Sequence, residues 1–144
     1  MNAVDTNVLV YAHRRESRFH DTARDLLKNL ASGDPRWAIP WPCVYEFFSV
    51  VTNPKIWKEQ ATKPEAACAQ INAWRNSPSV VLLSETRDMM ETLIPMLSQP
   101  RIRGAVVHDA RIATLCLVHG VEVLFSKDRD FQLFPTLRVK DPFD

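Results

Sequence analysis

The chain has 144 residues, of which 46% are hydrophobic, 24% charged and 9% aromatic, with a net charge of +1. These proportions predict one soluble globular domain over residues 1–144, long enough to bury roughly 70% of the surface its unfolded chain exposes. Gly33, Gly104 and Gly120 are the only glycines, and the nearest two lie 16 residues apart. A dinucleotide fingerprint, a Walker loop and a nucleophile elbow each need closer glycines, so all three are excluded.

The elements alternate along the chain. Ala3-Val4 predicts a short buried strand ending at Asp5, and Asp5-Thr6-Asn7 a cap before a helix from Val8 to His13. Ala23, Leu26, Leu27 and Leu30 have helical spacing within Phe19–Leu30, which Gly33-Asp34-Pro35 ends. Ala38-Ile39-Pro40 reads as short and extended at best. Pro42 opens a helix through Cys43–Val51, and Asn53-Pro54 stops it. Pro64-Glu65 starts another, to about Trp74, and Ser79–Leu83 is the best strand. Glu85–Leu97 is helical, kinked or shortened by Pro95. Val106–His119 is an amphipathic helix ended by Gly120, Val121–Phe125 a buried strand, and Leu137-Arg138-Val139 an edge strand. Strands alternating with helices predict an α/β domain, a central parallel sheet flanked by helices on both faces.

Cys43, Cys68 and Cys116 are widely spaced, and no Cys-x-x-Cys or paired-histidine motif accompanies them, so zinc has no local support. Reduced core thiols of a cytoplasmic protein are expected. Met1–Asp5 lacks the pattern of a signal peptide, and apolar runs of four to five residues fall far short of a membrane span. Because the net charge is small, any affinity for phosphate must come from a local patch.

Acidic residues stand where burial should disfavour them. Asp5 follows the first strand, at the strand end where open α/β sheets gather ligands; taken alone, an N-cap is the simpler explanation. Glu46 sits among Cys43, Phe47 and Val50, where an unpaired carboxylate costs several kcal/mol, so a metal, a proton or an arginine partner is required. Asp109 shares a face with Val106, Ile112, Ala113, Cys116 and Leu117, although a first-turn acid also suits the helix dipole. Asp128 and Asp130 follow the strand ending at Phe125, in what is otherwise a polar turn. Carboxylates drawn together from such separate places repel, and divalent cations relieve that repulsion. Hard oxygen ligands favour Mg²⁺ or Mn²⁺ over Zn²⁺ and suit phosphoryl chemistry.

Four segments occur in order: Ala3-Val4-Asp5-Thr6-Asn7-Val8-Leu9, Val44-Tyr45-Glu46-Phe47, His108-Asp109-Ala110-Arg111-Ile112-Ala113 and Ser126-Lys127-Asp128-Arg129-Asp130-Phe131. Together they resemble the PIN domain, and in size and solitary architecture the VapC toxins of bacterial toxin–antitoxin pairs. The resemblance runs from residue 1 to about 134. It implies a metal-dependent endoribonuclease, a homodimer and a cognate antitoxin that blocks the acidic cleft. Asp5, Glu46, Asp109 and Asp128 match the catalytic, metal-binding quartet, and Asp130 a further acid that can join it. Asn7 and Ser126 match polar residues that orient the acids; Ser126 stands where Thr is commoner. The implied reaction is attack of water on an RNA phosphodiester, aided by one or two Mg²⁺ or Mn²⁺ ions.

Arg14, Arg15, Lys127 and Arg129 are candidates for holding the RNA backbone, with Arg18, Arg101 and Arg103 further from the motifs. Trp37, Trp41, Trp57 and Trp74 could stack on unpaired bases or serve as core, and His108 adjoins Asp109. A competing reading keeps the fold as a catalytically silent module whose acidic pocket captures a basic partner peptide. A phosphatase with an aspartyl nucleophile is disfavoured, because Asn7 stands where its second aspartate belongs.

Overall fold

Residues 1–144 are described by a computed structural model. Five short strands form one sheet: β1 (Asn2–Val4), β2 (Trp37–Pro40), β3 (Val80–Leu83), β4 (Val123–Phe125) and β5 (Val139–Lys140). Their order is β3-β2-β1-β4-β5, and every neighbouring pair is parallel. The chain steps outward from β1 through β2 to β3, then returns to lay β4 and β5 on the opposite side. The carboxyl ends of β1 and β4 therefore flank the point where strand order reverses, the favoured ligand site of open α/β sheets.

Seven helices connect the strands: α1 (Thr6–His13), α2 (His20–Ser32), α3 (Trp41–Val51), α4 (Pro54–Trp57), α5 (Pro64–Arg75), α6 (Met90–Leu97) and α7 (Val106–Val118). Helices α1, α2, α3 and α5 pack as one group and α6 with α7 as another. With right-handed crossovers, the reversal of direction puts the two groups on opposite faces of the sheet. The core between them is continuous, and Ala3, Val4, Ala38, Ile39, Phe47, Leu83, Ala113 and Leu124 are fully buried in it.

Most predicted elements lie within two residues of their observed bounds. Strand β2 is stronger than expected, buried along its whole length. Pro40 is tolerated at its last position because pairing with β1 ends at Ala38, so no β1 carbonyl awaits its missing N–H. The predicted Glu85–Leu97 helix is shorter: a 3₁₀ turn at Arg87–Met89 precedes α6, and Pro95 is carried inside it. Gly120 follows the end of α7 at φ +72°, a conformation a side chain would strain. Cysteine burial needs one correction. Cys43 and Cys116 are buried, but Cys68 lies exposed on α5, whose buried residues are Ala67 and Trp74.

Candidate active site

The register brings the first components together. Val4 pairs with Phe125, so the next residues, Asp5 and Ser126, leave adjacent strands side by side. Ser126 Oγ donates to Asp5 Oδ2 at 2.7 Å, and Asn7 Nδ2 reaches the same oxygen at 3.3 Å. The other oxygen of Asp5 accepts from the Thr6 backbone N–H at 2.8 Å and from Cys43 Sγ at 3.5 Å. Asp5 thus caps α1 and also anchors the strand ends. Burial pushes its carboxyl pKa up, against the lowering effect of the Ser126 and Thr6 hydrogen bonds; the charge of Glu46 adds to the rise.

Ser126 is saturated. Besides donating to Asp5, its hydroxyl accepts from Asn7 Nδ2 at 3.2 Å and from the Asp128 backbone N–H at 3.0 Å. Asn7 Oδ1 in turn accepts from the Lys127 backbone N–H at 3.2 Å. This network fixes the turn after β4. Asp128 Oδ1 then accepts the Asp130 N–H at 2.9 Å, closing the cap of the next 3₁₀ turn.

Helix α7 brings Asp109 to this turn. Carboxylate oxygens of Asp109, Asp128 and Asp130 lie within 4.8 Å of one another. Burial, then the charges of Asp128, Asp5, Asp130 and Glu46, push the Asp109 pKa from 3.8 to about 7. Helix α3 supplies Glu46, whose Oε2 accepts from Thr6 Oγ1 at 3.0 Å. A cavity of about 300 Å³ is lined by Asp5, Thr6, Asn7, Glu46, Asp109 and Asp128, with Val10, Tyr11, Val50 and Trp57 as its apolar wall. Four carboxylates from separate parts of the chain therefore face one space. An all-oxygen set with mutual repulsion fits a hard divalent cation.

The arrangement differs from the sequence expectation in three respects. The tight group of three contains Asp130, whereas the cavity itself is lined by Asp5, Glu46, Asp109 and Asp128. Glu46 is exposed to the cleft and partnered by a hydroxyl, so neither burial nor an arginine explains it. The Thr6–Glu46 and Cys43–Asp5 contacts have no sequence signal beyond the place of Thr6 and Cys43 in the first turns of α1 and α3.

The basic candidates separate. Arg14 is a correction: it is buried, its Nε bonded to Glu16 at 2.6 Å and its Nη1 to the Gln60 carbonyl at 2.7 Å. Its guanidinium also stacks 4.0 Å from the Trp57 ring, so it anchors a loop and is not free for phosphate. Lys127 reaches Asp141 at 3.8 Å and the Phe19 ring at 4.8 Å. Arg15 and Arg129 are exposed. Trp37 and Trp74 are core residues, Trp57 lines the acidic cavity, and His108 is exposed beside Asp109.

Residues 3–136 match the PIN-domain family. The chain belongs to the PIN-domain family. This PIN domain is 32% identical over 139 residues to ribonuclease VapC48 of Mycobacterium tuberculosis, covering 96% of this chain and 95% of the relative. It is 33% identical over 144 residues to ribonuclease VapC43 of the same organism, covering 100% and 97%. Among solved structures, Mycobacterium tuberculosis VapC20, a sarcin-ricin loop cleaving toxin, superposes with a TM-score of 0.68 at 21% identity, over 92% of this chain and 93% of that one. A DNA-bound VapBC from Salmonella typhimurium gives 0.67 at 18%, covering 99% of each. These likenesses agree with the parallel α/β architecture of the domain. No helix of the PIN domain is long and apolar enough to cross a membrane.

Proposed function

We propose that the chain is a VapC-type endoribonuclease acting as the toxin of a toxin–antitoxin pair, and that it works with Mg²⁺ or Mn²⁺. The observation that carries the reading is the convergence of Asp5, Glu46, Asp109 and Asp128 on one cavity, with Asp130 carboxylate oxygens within 4.8 Å of those of Asp109 and Asp128. Asp5, Asp109, Asp128 and Glu46 would hold the cation, with Asp130 close enough to Asp109 and Asp128 to join them. A bound divalent cation supplies positive charge that acidifies water and offsets charge developing on the phosphate.

The chain's own residues do the rest. Ser126, Asn7 and the Thr6 N–H hold Asp5 in one orientation, so the acids need little rearrangement when substrate enters. Thr6 holds one oxygen of Glu46 and leaves the other to orient a water or accept a proton. Exposed Arg15, Arg129 and Lys127 attract the RNA backbone towards a cleft whose own charge repels it.

Residues 1–144 act as one ribonuclease domain in the cytoplasm, as a homodimer. VapBC neighbours such as the Salmonella complex support an antitoxin as partner. The test is RNA cleavage by the purified chain with Mg²⁺, Mn²⁺ or EDTA, run beside Asp5→Asn. Metal-dependent cutting by the wild type alone supports the reading. Equal cutting by both proteins removes it, and capture of a basic peptide without any cutting favours the silent binding module.

A further inference from the structure

A second cavity, of about 510 Å³, adjoins the acidic one and shares Glu46 and Asp109 with it. We propose that this cavity, walled by Tyr45, is a subsite for an unpaired nucleobase flanking the scissile phosphodiester. The proposal rests on the ribonuclease reading and adds to it the residues that would receive one base.

Tyr45 is 66% exposed, the most open of the large apolar side chains. One exposed ring is unremarkable on a protein surface; its place is what matters. It lines the same cavity as Glu46 and Asp109, so a group lying on the ring is next to the acids. Trp41, one helical turn earlier, stacks behind it with centroids 6.2 Å apart and planes 27° apart. The ring is thereby held as a platform and loses little freedom when a second flat group settles on it.

The rest of the wall selects the occupant. Arg111 is the one Lys or Arg side chain there, and it is ion-paired with Glu85. The cavity consequently favours a neutral planar group over a phosphate. Ser49 and His108 on the same wall offer hydrogen-bonding edges to such a group, and Pro42 adds an apolar surface. Its volume lies within the roughly 300–1,000 Å³ of small-ligand sites. A base can enter only if it has left its helical stack, which is how single strands and loops are recognised.

The test measures binding in EDTA of a fluorescein-labelled eight-nucleotide single-stranded RNA to wild type, Tyr45→Phe and Tyr45→Ala. Base–aromatic stacking predicts a loss of about 5- to 150-fold in affinity for Tyr45→Ala, with Tyr45→Phe close to wild type. An abasic nucleotide, walked along the RNA, should reproduce that loss at one position in the wild type and add nothing in Tyr45→Ala. Unchanged affinity in Tyr45→Ala overturns the subsite. So does a shift of Tyr45→Ala to a smaller species in light scattering, which would assign the ring to contact with a second copy. Metal-dependent cleavage by the same wild-type preparation separates the failures: if it cuts RNA while Tyr45→Ala binds normally, only the subsite falls.

Discussion

Asp109→Asn in the metal-free protein should raise stability at pH 8 and by roughly a third as much at pH 5. The Asp109 carboxyl titrates near pH 7 in the folded chain against 3.8 for the ordinary side chain, because burial and four acidic neighbours disfavour its charge. The folded protein therefore holds this proton more tightly than the unfolded chain does. Stability falls as pH rises from about 4 towards 7, and above 7 the whole penalty applies. Full withdrawal from water would make that about 4 kcal/mol. Asp109 is only half-buried, and solvent screening reduces the figure to about 1–2 kcal/mol. Asparagine keeps the shape and loses the charge, so its melting temperature should exceed the wild type's by about 3–8 °C at pH 8 in EDTA, and by roughly a third of that at pH 5. Excess Mg²⁺ should reverse the order, since a cation at 100 times its dissociation constant stabilises by about 2.7 kcal/mol and the variant has lost a ligand. Thermal melts at the two pH values, with EDTA and with Mg²⁺, measure all of this. A gain of equal size at both pH values, or a loss at pH 8, would refute the electrostatic reasoning.

Two further substitutions test the supports of the site. Ser126→Ala removes a buried hydroxyl that serves Asp5, Asn7 and the Asp128 N–H together. Cleavage should fall about 10–100-fold with a stability loss of about 1–3 kcal/mol by urea titration, and unaltered kinetics would show that the network does not position the acids. Arg14→Ala empties a site buried against Trp57, Gln60 and Glu16. It should cost about 2–4 kcal/mol in stability, whereas a stable variant with weakened RNA binding would return Arg14 to the phosphate-contacting role.

The fold was readable because its signals are local. Pro42 and Pro64 mark helix starts, Gly120 a helix end, and Val80–Leu83 a strand, each from its immediate neighbours. Strand β2 was underrated because Pro40 is unfavourable within a sheet and acceptable only at a position that register defines. The acids were legible as anomalies at Asp5 and Asp109, where strand end and helix face can be inferred from spacing. Asp130 was harder, since only the turn fixed by Ser126 and the Asp128 cap brings it back towards Asp109. Arg14 misled because its burial depends on Trp57 and Gln60, more than forty residues away. Glu46 had the opposite failing. Its apolar sequence neighbours implied burial, but its own helix face opens on the cleft.

The carboxylates that follow β1, lie on α3 and α7 and stand in the turn after β4 are proposed to form a divalent-metal centre. The most direct test is a crystal of the wild-type protein soaked in Mn²⁺, with anomalous scattering used to locate the ion. A peak in contact with Asp109 and Asp128 oxygens, absent from Asp109→Asn crystals treated alike, is the predicted result. A peak only elsewhere on the protein, or the same peak in both crystals, would contradict the claim.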